Sequence, residues 1–137
     1  MPDLSRFHDA QAQTFDTALA ELRAGQKCSH WMWFIFPQLR SLGRSTIARY
    51  YGLEGLEEAR AYLADPVLGE RLSQAAKAVL THAGRDATEI MGGIDALKLR
   101  SSATLFKAAG GGTEFRAILD TFYDGAPCPL TEAELAG

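Results

Sequence analysis

Ser29-His30-Trp31-Met32-Trp33-Phe34-Ile35-Phe36-Pro37-Gln38 carries both tryptophans of the chain and two of its seven phenylalanines. Its aromatic content suits a strand by propensity. A half-buried strand, however, alternates apolar and polar residues, and Trp31 through Phe36 does not alternate. Pro37 closes the run and has no N–H to give to a sheet ladder. The stretch therefore reads as a short helix or turn that either packs a core or lines a pocket with a few polar tips. Without it, strand signals are nearly absent.

Outward from this segment the pattern is helical. On its N-terminal side Phe7, Gln11, Phe15, Ala18, Leu19 and Leu22 recur at steps of three and four and form one apolar stripe, and Gly25 supplies a stop. On its C-terminal side Gly43 and Ser45 read as a turn into a helix through Ile47 and Tyr51. Asp65-Pro66 is a helix start, with Asp65 as N-cap and Pro66 in the first helical position. Leu68, Leu72, Ala75, Ala76 and Val79 then share a face that ends at Gly84. Asp86-Ala87-Thr88-Glu89 has the form of a capping box, and Gly92-Gly93 breaks the short helix that follows. A further helix is expected from about Ile94 to Ala109, before Gly110-Gly111-Gly112. Thr113 is then placed to cap a helix whose stripe is Phe115, Ile118, Leu119 and Phe122, and Thr131-Glu132-Ala133-Glu134 forms a last capping box. The expected architecture is all-α: a single compact multihelical domain over residues 1–137 with short connections, of which 126–137 form a short C-terminal tail.

The bulk numbers agree with one soluble domain. A chain of 137 residues, 47% hydrophobic and 23% charged, can bury a core without disulfide or metal staples. Fourteen basic against 17 acidic residues give a net charge of −3, which argues against nucleic-acid binding. Arg40, Arg44 and Arg49 read as solvated surface. Cys28 and Cys128 lack any disulfide or zinc spacing and are expected reduced and partly buried. His8, His30 and His82 are isolated, so no metal is indicated. The apolar run Trp31–Phe36 is far short of the ~18 residues that span a bilayer. The opening Met-Pro-Asp leads into no basic and apolar leader, so a cytoplasmic protein without membrane attachment is expected. No phosphate loop or nucleophile elbow occurs, and Gly110-Gly111-Gly112 reads as a connection.

The chemistry that remains gathers around two places. Asp95, Lys98 and Ser102 fall at i, i+3 and i+7 on one helix face, where Asp95 can hold the Lys98 ammonium and Lys98 can bind an anion or ready Ser102. The opposing reading is a surface ion pair beside two hydroxyls, which contributes about 0–1 kcal/mol. In the aromatic segment His30 is the candidate acid/base, and Trp31 and Trp33 are candidates for stacking a ring. The opposing reading makes both tryptophans core. Gln11 interrupts its apolar stripe, so its amide needs an internal partner or a ligand. The candidate catalytic residues are thus Lys98, Asp95 and His30, with Gln11, Trp31, Trp33, Gln38, Ser101 and Ser102 as ligand contacts and no cofactor.

Four stretches, taken in order, resemble a known bacterial family. They are Arg6-Phe7-His8-Asp9-Ala10-Gln11, the segment Ser29 to Leu39, Ala61-Tyr62-Leu63-Ala64-Asp65-Pro66-Val67-Leu68-Gly69-Glu70-Arg71-Leu72, and Asp95-Ala96-Leu97-Lys98-Leu99-Arg100-Ser101-Ser102-Ala103-Thr104-Leu105-Phe106. The family is catalogued as domain of unknown function 1810 and sometimes labelled calpastatin, a label at odds with a composition that builds a core. The resemblance implies a small, mainly helical fold and carries no proven activity. The glycine triplet and the Cys128-Pro129 region depart from the family pattern, so function is not expected there. A more distant similarity links the chain to a helical family proposed to handle ADP-ribose or related nucleotides.

Two functional expectations follow. One is a pocket that binds, or hydrolyses at a sugar or phosphate linkage, a small anionic or nucleotide-like metabolite. The other is a non-catalytic protein-interaction module in which the aromatic segment is core.

Overall fold

A computed structural model describes residues 2–137. Among them helices run over Ser5–Ala24 (α1), Met32–Ile35 (α2), Thr46–Tyr50 (α3), Leu56–Ala64 (α4), Leu68–Leu80 (α5), Ala87–Met91 (α6), Gly93–Ala108 (α7), Thr113–Phe122 (α8) and Pro129–Ala136 (α9), with a 3-10 turn at Arg40–Leu42. No strand occurs among the described residues; the one sheet-like pairing is an isolated parallel bridge between Leu39 and Leu53. The fold is all-α.

The stripe of α1 is buried as its periodicity requires, and Gly25 ends the helix at φ +76° with its N–H turned back to Glu21 and Leu22. Helix α5 packs against α1, α4 and α8, while α7 touches α4, α6, α8 and α9. An aromatic row ties these layers together. Phe7 meets Tyr62 edge-on with ring centres 5.1 Å apart, Tyr62 lies 5.4 Å from Phe106, and Phe106 lies 5.7 Å from Phe115. Such pairs add about 0.5–1.5 kcal/mol each beyond the area they bury.

Several helix starts differ from the sequence pattern. Asp65 Oδ1 accepts the N–H groups of Val67 and Leu68, but α5 begins at Leu68 with Val67 as its N-cap, so Asp65 and Pro66 form the turn that leads into the helix instead of its cap and first residue. Asp86 occupies an N-cap position but makes no side-chain cap hydrogen bond. Gly112, not Thr113, is the N-cap of α8. At the C-terminus Pro129 sets the first turn, so α9 begins two residues before Thr131, and that hydroxyl is buried instead of capping. Residues 129–136 are thus a docked helix. Helix α4, which the sequence pattern did not single out, starts after Gly55 with Glu57 and Glu58 in its first turn, where the helix dipole favours them.

Candidate functional site

The loop from α1 into α2 is organised by one carboxylate. Glu21 accepts hydrogen bonds from the backbone N–H groups of Cys28 and Ser29, the Ser29 hydroxyl and the Trp31 indole N–H. Burial opposes its charge, but the Ser29 hydroxyl, the two N–H groups and the indole together outweigh that and bring Glu21 down to about 2. Trp31 is thereby fixed in the core with no exposed surface. Lys27 extends back along this loop, its ammonium 4.9 Å from the Trp31 ring centre and 2.9 Å from Asp95 Oδ2 on α7. Lys98, one turn along α7, lies 3.8 Å from Asp95 Oδ1 and 5.3 Å from the centre of the Trp33 ring. Two ammoniums thus share one carboxylate, which leaves a net positive charge at this point.

Lys98 also belongs to a groove of about 500 Å³. One wall is α7, through Ile94, Leu97, Lys98, Arg100 and Ser101; the second is the start of α9, from Cys128 to Leu130; the third is the segment from Gln38 to Ala48, including Arg44. Three cations line it and no carboxylate does. At its rim Ile94, Leu97 and Leu130 are 74%, 66% and 64% exposed, the three most exposed large hydrophobic side chains among the described residues. Arg100 is held in place by its Nε–H on the Ala126 carbonyl at 2.9 Å and by the Tyr123 ring.

A group of buried hydroxyls surrounds Cys128. Ser101 Oγ donates to Cys128 Sγ at 3.2 Å, Thr131 Oγ1 donates to Ser101 Oγ at 3.3 Å, and Thr104 Oγ1 accepts the Cys128 N–H at 2.9 Å. Burial pushes the thiol up, yet the hydroxyls of Ser101 and Thr131 and the N–H groups at the start of α9 hold it below the ordinary thiol range.

The residues singled out from sequence fall into three groups. Lys98, Gln38 and Ser101 line the groove together, and Asp95 sits behind Lys98. Trp33 is half-buried beneath Lys98, whereas Trp31 lies in the core on Glu21. Gln11 is buried and used internally. Its amide N–H groups go to the Phe34 carbonyl at 2.7 Å and the Tyr62 hydroxyl at 2.9 Å. His30 is exposed on the loop before α2, outside the groove lining. Ser102 is buried with its hydroxyl unpartnered, also outside that lining.

Lys27, Arg44, Arg100, Cys128 and Thr131 were missed or read as inert. Of the three arginines read as solvated surface, Arg40 pairs with Glu54 and Arg49 reaches the Gly43 carbonyl, but Arg44 enters the groove. The Cys128-Pro129 region, where no function was expected, forms a groove wall. Among the described residues no group of three or more His, Cys, Asp or Glu is placed to hold a metal. No helix among them is long and apolar enough to cross a membrane.

The family model described as "Protein of unknown function (DUF1810)" matches residues 1–135. Among solved structures, the chain is similar to the conserved hypothetical protein Rv1873 from Mycobacterium tuberculosis. The two share 48% sequence identity and a TM-score of 0.96, over 98% of this chain and 97% of that one. No curated protein matches.

Proposed function

We propose that this chain, which belongs to the DUF1810 family, binds a small amphipathic anion in the groove between α7, the start of α9 and the Gln38–Ala48 segment. The observation that carries this reading is the charge of the lining: Arg44, Lys98 and Arg100 without one acid, in a chain whose net charge is −3. A concave site with cations at fixed points and aliphatic walls suits a ligand with a negative group and an apolar or ring portion. Lys98 is the residue on which affinity depends most. It is half-buried, so its charge is less screened than that of an exposed lysine, and Asp95 is already engaged by Lys27. Gln38 and Ser101 add neutral hydrogen-bonding groups. A nucleotide-like metabolite fits this description, and hydrolysis of such a ligand is the step beyond binding that activity assays address.

The test is thermal unfolding of the full chain, and of Lys98→Ala, with nucleotides, ADP-ribose and sugar phosphates. A ligand at a hundred times its Kd stabilises by about 2.7 kcal/mol and raises Tm by several degrees. The expected result is a rise for wild type that Lys98→Ala abolishes while its own Tm stays close to wild type. The rival reading, a protein-interaction module, is favoured by the exposed side chains of Ile94, Leu97 and Leu130. It expects no response to any small anion.

A further inference from the structure

The three most exposed aliphatic side chains, Ile94, Leu97 and Leu130, all line the groove that also holds Arg44, Lys98 and Arg100. Ile94 and Leu97 lie one turn apart on α7, and Leu130 meets the groove from the first turn of α9. Their contact with water is relieved only by an occupant that covers them with apolar surface of its own. The rest of the carbon lining is Leu42, Ala48, Cys128 and Pro129, and among the described residues no aromatic side chain contributes to it. A nucleobase would therefore meet no stacking platform. Trp31 is sealed in the core, and the Lys98 ammonium lies over the Trp33 ring, 5.3 Å from its centre. Ribose and phosphate are polar surface and gain nothing against the rim aliphatics. The charge of the lining selects the other end of the ligand. Asp95 stands 3.8 Å from the Lys98 ammonium and is closer to Lys27, at 2.9 Å, so Lys98 keeps donors for an incoming acid.

We propose that the anion the groove takes is an aliphatic carboxylate, a free acid with an unbranched hydrocarbon tail. Lys98, with Arg44 and Arg100 beside the same groove, attracts the carboxylate, and Ile94, Leu97 and Leu130 receive the tail. A groove of about 500 Å³ is within the range that small-molecule sites occupy. The tail suits these walls because its rotatable bonds let it follow separate aliphatic side chains, which a rigid ring system cannot do. Each methylene that it lays on them removes apolar surface from water on both partners. This inference rests on the anion-binding reading above and names the ligand class for the same groove.

The experiment is titration calorimetry of the full chain with hexanoate, octanoate and decanoate below their micelle concentrations. Decylamine serves as the cation of matching tail and ADP-ribose as the nucleotide. The expected result is an affinity that rises about threefold per added methylene, with decanoate bound about tenfold or more tightly than decylamine. Lys98→Ala should weaken all three acids by a similar factor and leave the increment per methylene unchanged. The double substitution Ile94→Gln and Leu97→Gln, at exposed positions of α7, should flatten the series while the acid stays preferred over the amine. An affinity that does not grow with the tail overturns the proposal, as does an increment that the double substitution leaves intact. Capture of the protein on phosphatidylglycerol vesicles with no response to the free acids assigns the same side chains to a membrane surface and overturns it too. The two readings fail separately. A Tm rise with ADP-ribose that depends on Lys98, with none for the alkanoates, removes the aliphatic ligand alone. Equal affinity for decanoate and decylamine removes the anion groove and this inference with it.

Discussion

At the scale of single residues, Glu21 shows how one side chain fixes a segment whose conformation the sequence leaves open. The aromatic run from Trp31 to Phe36 is read correctly as non-strand, but nothing local dictates which way its rings face. Glu21, on the last turns of α1, decides by accepting the Trp31 indole and three donors of the preceding loop. That role carries a pH signature. The folded value of about 2 lies below the ordinary 4.5, so Glu21 contributes stability that is fully present above pH 4.5 and is lost as pH falls toward 2. Chemical denaturation followed by circular dichroism across that interval should show the loss, and Glu21→Gln should flatten it while lowering stability at neutral pH by roughly 1–3 kcal/mol. A Glu21→Gln profile that tracks wild type would assign the acid sensitivity elsewhere. Gln11 illustrates the complementary case. Its polar interruption of an apolar stripe was a legible signal of an internal partner, although the partners, Phe34 and Tyr62, lie 23 and 51 positions away.

At the scale of elements, helices with a clean stripe or a strong stop were legible, and those set by their neighbours were not. Periodicity and Gly25 located α1, and the Asp65-Pro66 start located α5. The start of α9 was misplaced because two rules compete there: Thr131 has the residue type of an N-cap, but Pro129 fixes the first helical φ two positions earlier. The joint between the Gln38–Leu42 segment and α4 depends on a close backbone approach that no pattern reveals. Leu53 donates its N–H to the Gln38 carbonyl and accepts the Arg40 N–H, which holds the groove's third wall in register. Arg6 from α1 clamps the same joint through the carbonyls of Tyr50 and Gly52 and the carboxylate of Glu58. A Cβ at Gly52 would lie 2.3 Å from Arg40 Cα, a backbone atom that cannot step aside. Gly52→Ala should therefore cost about 1–3 kcal/mol in denaturant unfolding, and Gly55→Ala, whose added carbon meets nothing within 4 Å, serves as its control.

At the scale of the whole molecule, the groove is assembled from three parts of the chain that are far apart in sequence. That is why spacing along α7 singled out Asp95, Lys98 and Ser102, of which Lys98 alone lines the groove, and passed over Arg44 and Cys128. Sequence spacing reports neighbours along one helix; it carries no information about which loop a helix faces. The net charge of −3 was equally uninformative, because it averages over a surface on which one concave face carries cations alone. The same assembly has an optical consequence. The chain's two tryptophans occupy contrasting situations, Trp31 sealed in the core on a carboxylate and Trp33 half-buried under the groove's own lysine. An anion that draws the Lys98 ammonium away from the Trp33 ring changes the electric field at that indole and leaves Trp31 undisturbed. Emission should then shift on binding in wild type and in Trp31→Phe, and stay constant in Trp33→Phe. The protein would in that case need no added dye, because its second indole reads the occupancy of the groove as light.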